Sequence, residues 1–211
     1  MKKIFVAIIA VSITFVSCKG EKKEKVEVKE EVKVEKVAAT NNVDLSASIL
    51  NWTGRKPGGA HSGTVALKES SLVIEDGKVT SGEFIVDMSS IKNTDIKDPK
   101  YAANLVGHLS NADFFDVPKY PTSKFVITSV EEKEGKLAVT GNLTIKDVTK
   151  SVTIPATLSE ENGTYTFKSD SFNIDRADFN VKYGSKKWFD NLKDKFINDL
   201  VEMSFVVKTK S

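Results

Sequence analysis

The sequence has few of the residues on which catalytic and metal sites commonly depend. Its 211 residues include one cysteine and two histidines. They contain no G-x-S-x-G, P-loop, C-x-x-C or H-E-x-x-H motif. A single cysteine cannot form a disulfide within the chain, and a formal net charge of +2 does not indicate a nucleic-acid partner. We therefore expect no enzyme, no cofactor, no metal ion and no nucleic-acid ligand.

The candidate catalytic side chains have simpler roles. His61 and His108 would need further ligands to hold a metal, so hydrogen bonds at the rim or mouth of a ligand cavity are the simpler interpretation. Asp113 and Asp116 are either paired carboxylates or, more simply, caps of local turns. Arg176, one of two arginines, either forms a salt bridge with a neighbouring aspartate or faces an anionic head group.

Long apolar runs are missing after the N-terminus, where none approaches the roughly 18 residues that indicate a spanning helix. Residues 4–16 form an apolar run behind two lysines, which is typical of a signal peptide. The run ends in Ser17-Cys18, which resembles the lipobox of bacterial lipoproteins. We predict a signal peptide over residues 1–17 and a lipid anchor such as palmitate on Cys18. An ordinary secretory signal is the alternative.

This anchor predicts an address in the cell envelope. Lys19, rather than aspartate, follows Cys18, which by analogy with enterobacterial lipoproteins favours the outer membrane. We expect the protein to face the periplasm, with exposure on the cell surface as the alternative. Residues 18–40 hold the cysteine and a charged run that we expect to be a solvated tether with a reach of roughly 25 Å. The alternation of Val26 and Val28 with charged residues would instead suit an edge strand.

Residues 41–211 show the alternation of apolar and polar side chains that is typical of strands. The run from Phe84 to Met88 is one example, and about eight such runs follow one another, mostly across short turns. One short helix is predicted over residues 99–109, with Asp98 as its N-cap. The pattern predicts an all-β domain, either an antiparallel barrel or a sandwich. A barrel of this size is either filled by its own side chains or holds one small ligand.

The segment GHLSNADFFDVPKYP, residues 107–121, interrupts the strands. Its adjacent Phe114 and Phe115 gain roughly 1.5–3 kcal/mol each when buried. Pro118 and Pro121 prevent a helix from running through the segment. We therefore predict a connection that inserts its two aromatic side chains into the apolar interior formed by the strands.

Seven landmarks in order carry a resemblance to a known family. They are HSG (61–63), GEFIVDMSSI (82–91), HL (108–109), DFFDV (113–117) with YP (120–121), Phe125, GNLTI (141–145) with VTK (148–150) and Val152, and IDRADF (174–179). Over residues 42–208 the chain resembles the YceI-like family of polyisoprenoid-binding proteins. It departs from the family pattern at Asp147 and Asn180, where glycine is usual, and at Ser151, where proline is usual.

The resemblance implies an eight-stranded antiparallel, lipocalin-like barrel around an apolar tunnel. A quinone or polyprenyl compound would lie inside, with its head group near the mouth. The family has no established catalysis at large, and its members are often dimeric, so a homodimer is implied. The leading hypothesis is a protein that binds, stores or carries an isoprenoid lipid in the cell envelope. Two alternatives stay open: an enzyme using His61 or His108 on a sequestered lipid, and a ligand-free scaffold with a solid core.

The candidate binding residues are the large apolar side chains of the strands and of the 107–121 segment. The predicted tunnel lining comprises Phe84, Val86, Met88, Leu105, Phe114, Phe115, Phe125, Leu143, Phe172, Phe179, Met203 and Phe205. The candidate contacts at the mouth or head group are His61, His108 and Arg176.

Overall fold

The computed structural model describes residues 25–33, 40, 42–133 and 135–210. The predicted signal peptide, residues 1–17, and Cys18 lie outside this part of the chain, so both stay predictions. Among the described residues, no helix has the length and apolarity needed to span a membrane.

Ten strands and one helix form in the described residues. They are β1 (Val28–Lys29), β2 (Ile49–Lys56), β3 (Gly59–Glu75), β4 (Lys78–Asn93), α1 (Pro99–Ser110), β5 (Thr122–Lys133), β6 (Lys136–Ile145), β7 (Val148–Glu161), β8 (Thr164–Ser169), β9 (Phe172–Asp175) and β10 (Leu200–Lys208). Short 3-10 turns occupy Arg176–Phe179 and Lys193–Lys195.

Eight of these strands close into an antiparallel barrel. The order around it is β7-β6-β5-β4-β3-β2-β10-β8, and β8 pairs back onto β7. β9 continues beyond β8 and pairs with the first half of β10. The predicted eight-stranded antiparallel barrel with one short helix is therefore confirmed.

Apolar and polar side chains alternate along the strands, and the apolar ones point into the barrel. On β4, Gly82, Phe84, Val86 and Met88 are buried, whereas the residues between them are partly exposed. Because successive side chains point to opposite faces of a strand, this pattern defines an inner and an outer face. The inner faces of the eight strands form the core.

Helix α1 has the start that the sequence predicts. Oδ1 of Asp98 accepts hydrogen bonds from the N–H groups of Lys100 (2.8 Å) and Tyr101 (3.2 Å), and Pro99 occupies the first turn. The helix passes through Gly107 and ends at Ser110. Its C-terminal end leads directly into the segment that carries Phe114 and Phe115.

Part of the run predicted to be a solvated tether lies against the barrel. Residues 25–33, here called the strap, cross the seam where β8 no longer covers β7. Val28 pairs with Val152 of β7, and Lys25 forms a bridge to Asn173 of β9. Val26 is only 6% exposed and joins a buried cluster with Phe172 and Ile174.

The strap therefore matches the edge-strand interpretation of its valines rather than the solvated one. The physical reason is the seam itself, because the edges of β7 and β9 present backbone groups that need partners. Lys29 of the strap pairs with Ser151. The YceI-like pattern usually has proline at this position, and proline would lack the backbone N–H that Ser151 retains.

The strap should add measurable stability. Replacing Val26 with alanine should lower the free energy of unfolding by about 1–3 kcal/mol, because it removes buried methyl groups. Val32→Ala is the matched control, since that side chain is 46% exposed and should cost little. Urea unfolding monitored by circular dichroism measures both. Equal effects of the two substitutions would contradict the docking of the strap.

Gly141 allows a close approach between two neighbouring strands. A Cβ at this position would lie 2.4 Å from Cζ of Phe125 and 2.6 Å from the carbonyl oxygen of Val126. The β5–β6 register also shifts here, since Ile127 faces Gly141 and Ser129 faces Thr140. The Phe125 ring thus occupies the space that any larger residue would need.

Gly141→Ala should therefore lower the free energy of unfolding by about 1–3 kcal/mol through overpacking. Gly107→Ala provides the matched control, because no atom lies within 4 Å of its added Cβ. In a helix that substitution should raise stability by up to about 1 kcal/mol. Denaturant unfolding of both variants tests the pair, and a Gly141→Ala protein as stable as the parent would refute the close approach.

Candidate ligand-binding cavity

The barrel encloses a cavity of about 220 Å³. Nearly all of its wall consists of apolar side chains from the eight barrel strands, β9, α1 and the 107–121 segment. The cavity settles one question left open by strand periodicity, because it shows that the interior is not packed solid. A wall that offers few hydrogen bonds suits an apolar ligand better than water.

Most of the predicted lining residues form this wall. The ten that do are Phe84, Val86, Met88, Phe114, Phe115, Phe125, Leu143, Phe172, Met203 and Phe205. Leu105 and Phe179 do not. Leu105 lies one helical turn before Leu109, which does line the cavity. Phe179 is fully buried in the cluster beside the strap, so its surroundings are packed protein.

Other wall residues were missed in the sequence. Trp52 lies within β2 and lines the cavity. Val65, Leu67 and Phe167 line it as well. The alternating pattern placed these three on apolar strand faces, but it carried no information on which part of each face borders the cavity.

An aromatic contact across the barrel forms the floor of the cavity. Phe84 on β4 and Phe167 on β8 stack with their ring centroids 6.2 Å apart, although these strands lie opposite each other in the barrel order. Both rings line the cavity. Leu72 and Ala156 are buried in the same core cluster as these two rings but do not line the cavity, so this part of the core is filled by side chains.

Phe114 and Phe115 stand at the other end of the cavity. Their ring centroids are 5.1 Å apart, and both rings contribute to its wall. The prediction that this connection inserts its aromatics into the barrel interior is therefore confirmed. Lys146, in the β6–β7 turn, holds the segment in place, since its Nζ donates to the carbonyl oxygen of Phe114 at 3.1 Å.

The same turn connects two of the departures from the family pattern. Asn180 has a φ of 57°, in the left-handed region that favours glycine and that asparagine tolerates. Its Nδ2 donates to Oδ1 of Asp147 at 3.3 Å, and Nζ of Lys146 donates to its carbonyl oxygen at 3.3 Å. These side chains therefore link the β6–β7 turn to the segment after β9.

Arg176 is the one predicted mouth residue that lines the cavity. Its Nε, Nη1 and Nη2 donate to the carbonyl oxygens of Asn198 (3.2 Å), Val181 (2.7 Å) and Ile197 (3.1 Å). Nη2 also lies 3.3 Å from Oδ1 of Asp199, so the salt bridge is to Asp199 rather than to an aspartate of the DRAD motif.

Burial affects the pKa of the Arg176 side chain. Arg176 is 2% exposed, and removal from water lowers the pKa of its guanidinium, against the opposing effect of the Asp199 and Asp175 carboxylates. Its Cζ lies 5.4 Å from the ring centroid of Phe114. The guanidinium thus links the loop before β10 to the 3-10 turn and places a cationic group at the cavity wall, which Lys124 also lines.

Neither histidine lines the cavity. The ring of His108 packs edge-on against Tyr183 (4.5 Å between centroids) and Phe114 (5.8 Å). Its buried Nε2 has no hydrogen-bond partner, and the nearest acidic atom is Oδ2 of Asp113 at 3.5 Å. Across the described part of the chain, no group of three or more His, Cys, Asp or Glu side chains is arranged to hold a metal ion.

His61 belongs to a polar cluster around Asp95. Nδ1 of His61 lies 2.9 Å from Oδ2 of Asp95, and Oδ1 accepts from the N–H of Ser62 (2.8 Å) and from Nδ2 of Asn93 (2.6 Å). The adjacent Gly63 has no room for a side chain, because a Cβ would lie 1.8 Å from the carbonyl oxygen of Lys92. Gly63 of the HSG landmark therefore lets β3 pack closely against the Lys92 backbone and the Trp52 ring.

The sequence model of the YceI-like domain matches residues 41–209. The chain belongs to the YceI-like family. The UPF0312 protein of Pseudomonas putida is 47% identical over 75 residues, which are 35% of this chain and 36% of that protein. Protein YceI of Salmonella arizonae is 47% identical over 51 residues, 24% of this chain and 27% of that protein. The matched region thus spans about a third of the curated relatives or less.

Solved structures share the fold of this YceI-like chain more completely. BcnA of Burkholderia cenocepacia aligns with a TM-score of 0.63 and 26% identity, over 80% of this chain and 99% of BcnA. A polyisoprenoid binding domain from Saccharophagus degradans aligns with a TM-score of 0.58 over 80% of this chain and 97% of that domain. At 16% identity, the second likeness concerns the fold alone.

The Asp95 cluster predicts an acid-dependent loss of stability. Burial alone would raise the pKa of Asp95, but the hydrogen bonds from Ser62, His61 and Asn93 outweigh it and lower the pKa to about 2. An unfolded aspartate titrates near pH ~3.9. The contribution of Asp95 to stability is therefore complete above about pH 4 and is lost as the pH falls towards about 2.

Asp95→Asn should accordingly be less stable than the parent at neutral pH, and the difference should shrink between about pH 4 and about pH 2. Urea unfolding across this range provides the measurement. Asp190→Asn, at an exposed aspartate outside the cluster, should leave stability unchanged at neutral pH. A gap between Asp95→Asn and the parent that stays constant down to about pH 2 would exclude this role.

Proposed function

We propose that this YceI-like protein binds an isoprenoid lipid, a quinone or polyprenyl compound, with the lipid tail inside the barrel. The observation that carries the proposal is the apolar cavity between the Phe84–Phe167 floor and the Phe114–Phe115 end. The polyisoprenoid binding domain of the Saccharophagus degradans structure, which has the same fold, supports the same ligand class.

The chemistry of the wall suits such a ligand. An isoprenoid tail exposes only methyl and methylene groups, and each Å² of apolar surface removed from water contributes roughly 25 cal/mol. Leucine, valine, methionine and phenylalanine side chains can contact it along its length. The ligand would enter from the side of Phe114 and Arg176, because the stacked rings of Phe84 and Phe167 block the opposite direction. Its head group would then lie near Arg176.

The proposed place of action is the cell envelope, where the protein would store, shield or carry the lipid. This part of the proposal rests on the predicted signal peptide, residues 1–17, and on lipidation of Cys18, which would attach the domain to a membrane. An enzymatic role is less well supported than binding, because His61 and His108 both lie away from the cavity wall. A solid scaffold is less well supported because the interior contains a cavity.

Truncating the two aromatics at the cavity end should weaken lipid binding. The double variant Phe114→Ala/Phe115→Ala should retain less prenyl lipid on purification and should bind an added quinone about tenfold more weakly or worse, because two large apolar contacts are lost. Mass spectrometry of organic extracts measures retention, and quenching of the fluorescence of Trp52, a wall residue, measures binding.

Two further variants separate binding from folding. Tyr101→Ala removes an exposed aromatic of α1 and should bind lipid like the parent. Leu143→Trp enlarges a side chain of the cavity wall and should reduce binding while the barrel stays folded. If extracts of the gently purified parent protein contain no prenyl lipid and it binds no quinone in solution, the proposed function is wrong.

A further inference from the structure

Three exposed aromatic side chains lie within seven residues of one another before β10. Tyr183, Trp188 and Phe189 are 42%, 48% and 49% exposed. Together with Lys182 and Lys186 they are called the aromatic–lysine patch here. Large aromatics are normally turned inward in a soluble domain, so a cluster left in water indicates a surface that contacts something else.

The backbone beneath the patch is held by several hydrogen bonds. The exposed aromatic side chains therefore belong to a well-defined turn. Ser185 is fully buried, and its carbonyl oxygen accepts from the N–H groups of Trp188 (3.2 Å) and Phe189 (3.0 Å). Nζ of Lys187 donates to Oδ2 of Asp175 at 2.7 Å and to Oδ1 of Asp178 at 3.0 Å. The turn therefore holds Trp188 and Phe189 on the outside of a fixed frame.

The patch borders the end of the cavity where we propose that the ligand enters. The carbonyl oxygen of Gly184 accepts from the N–H of Ile197, a cavity-wall residue, at 2.8 Å. The Tyr183 ring lies 6.3 Å from that of Phe114, which also lines the cavity. A surface that covers the patch therefore comes to lie beside the proposed entrance for the ligand.

The charges around the aromatics identify the partner. Residues 182–196 contain five lysines and two aspartates, and without Lys187, which is paired with Asp175 and Asp178, the remaining four lysines and two aspartates still carry a net charge of +2. Nζ of Lys182 lies 3.8 Å from the Trp188 ring centroid, and Nζ of Lys186 lies 3.5 Å from the Phe196 ring centroid. Tryptophan and tyrosine flanked by lysine suit the boundary between lipid head groups and acyl chains. Lysines there also attract anionic lipids.

We propose that the aromatic–lysine patch docks the barrel onto the surface of a bilayer containing anionic phospholipids. Trp188 and Phe189 insert at the level of the head groups, and Lys182 and Lys186 contact lipid phosphates. This docking turns the proposed entrance of the cavity towards the membrane, so that an isoprenoid lipid can pass between the bilayer and the cavity without crossing water. The purpose of the docking rests on the proposed lipid binding, whereas the docking itself can be tested separately.

The test uses residues 18–211, which contain every described element, with Cys18→Ser so that no acyl chain contributes. Vesicles of phosphatidylcholine with roughly 30% phosphatidylglycerol are compared with vesicles of phosphatidylcholine alone. In co-sedimentation the protein should bind the anionic vesicles more tightly, and added salt should weaken the binding. In a Trp52→Phe background, Trp188 is the remaining tryptophan, and its emission should shift to shorter wavelength on binding.

Substitutions in the patch should remove these effects. Trp188→Ala/Phe189→Ala should weaken vesicle binding about tenfold or more, and Lys182→Gln/Lys186→Gln should abolish the preference for anionic vesicles. Leu45→Ala/Ile49→Ala is the matched control, because these exposed apolar side chains lie towards the far end of β10, where Ile49 pairs with Val206. The proposal is overturned if the parent binds neither kind of vesicle, or if the Trp188/Phe189 variant binds as tightly as the parent.

A failure of docking can be told from a failure of lipid binding. Leu143→Trp, which blocks the cavity, should still bind anionic vesicles. Trp188→Ala/Phe189→Ala should still hold a prenyl lipid added in detergent, since neither side chain lines the cavity. A cavity-blocked protein that also loses vesicle binding would mean that the vesicle signal reports the ligand site rather than the patch, and would overturn the docking proposal.

Discussion

The pairing of β8 with both β7 and β10 is the constraint on which the rest of the structure depends. It turns an open antiparallel sheet into a closed barrel, so the apolar strand faces enclose one space instead of covering a flat core. Eight strands give a barrel at the size where side chains either fill the interior or leave room for one ligand. Here Phe84 and Phe167 meet across the barrel, and the space between them and Phe114 forms the cavity.

Closure is incomplete where β8 ends, and other segments complete the wall. β9 takes over the pairing with β10, and the strap covers the gap between β9 and β7. The same region contains Asp175, which receives Nζ of Lys25 from the strap and Nζ of Lys187 from the loop that carries the patch. One carboxylate therefore links the strap, the end of β9 and the presentation of Trp188.

Much of the fold could be predicted, because strand alternation and turn residues are local properties. Phe84, Val86 and Met88 follow each other at a spacing of two and all line the cavity. Alternation did not predict where along the barrel axis each apolar side chain lies, and therefore which of them border the cavity. Phe179 and Leu105 are apolar residues of suitable size, yet one packs beside the strap and the other lies a turn short of the wall. Trp52 is not among the predicted lining residues, because Gly54 follows it and glycine weakens a strand, whereas β2 continues through Gly54.

The sequence by itself determined the alternating antiparallel strands, the helix start at Asp98 and the insertion of Phe114 and Phe115 into the interior, because each follows from periodicity, capping or hydrophobicity within a few residues. Only the tertiary structure decided that the interior contains a cavity, that Arg176 stands at its wall and that residues 25–33 cover the seam. These features depend on which distant strands meet and in what register, as when Val28 meets Val152. That information is carried by packing over the whole barrel rather than by any single segment.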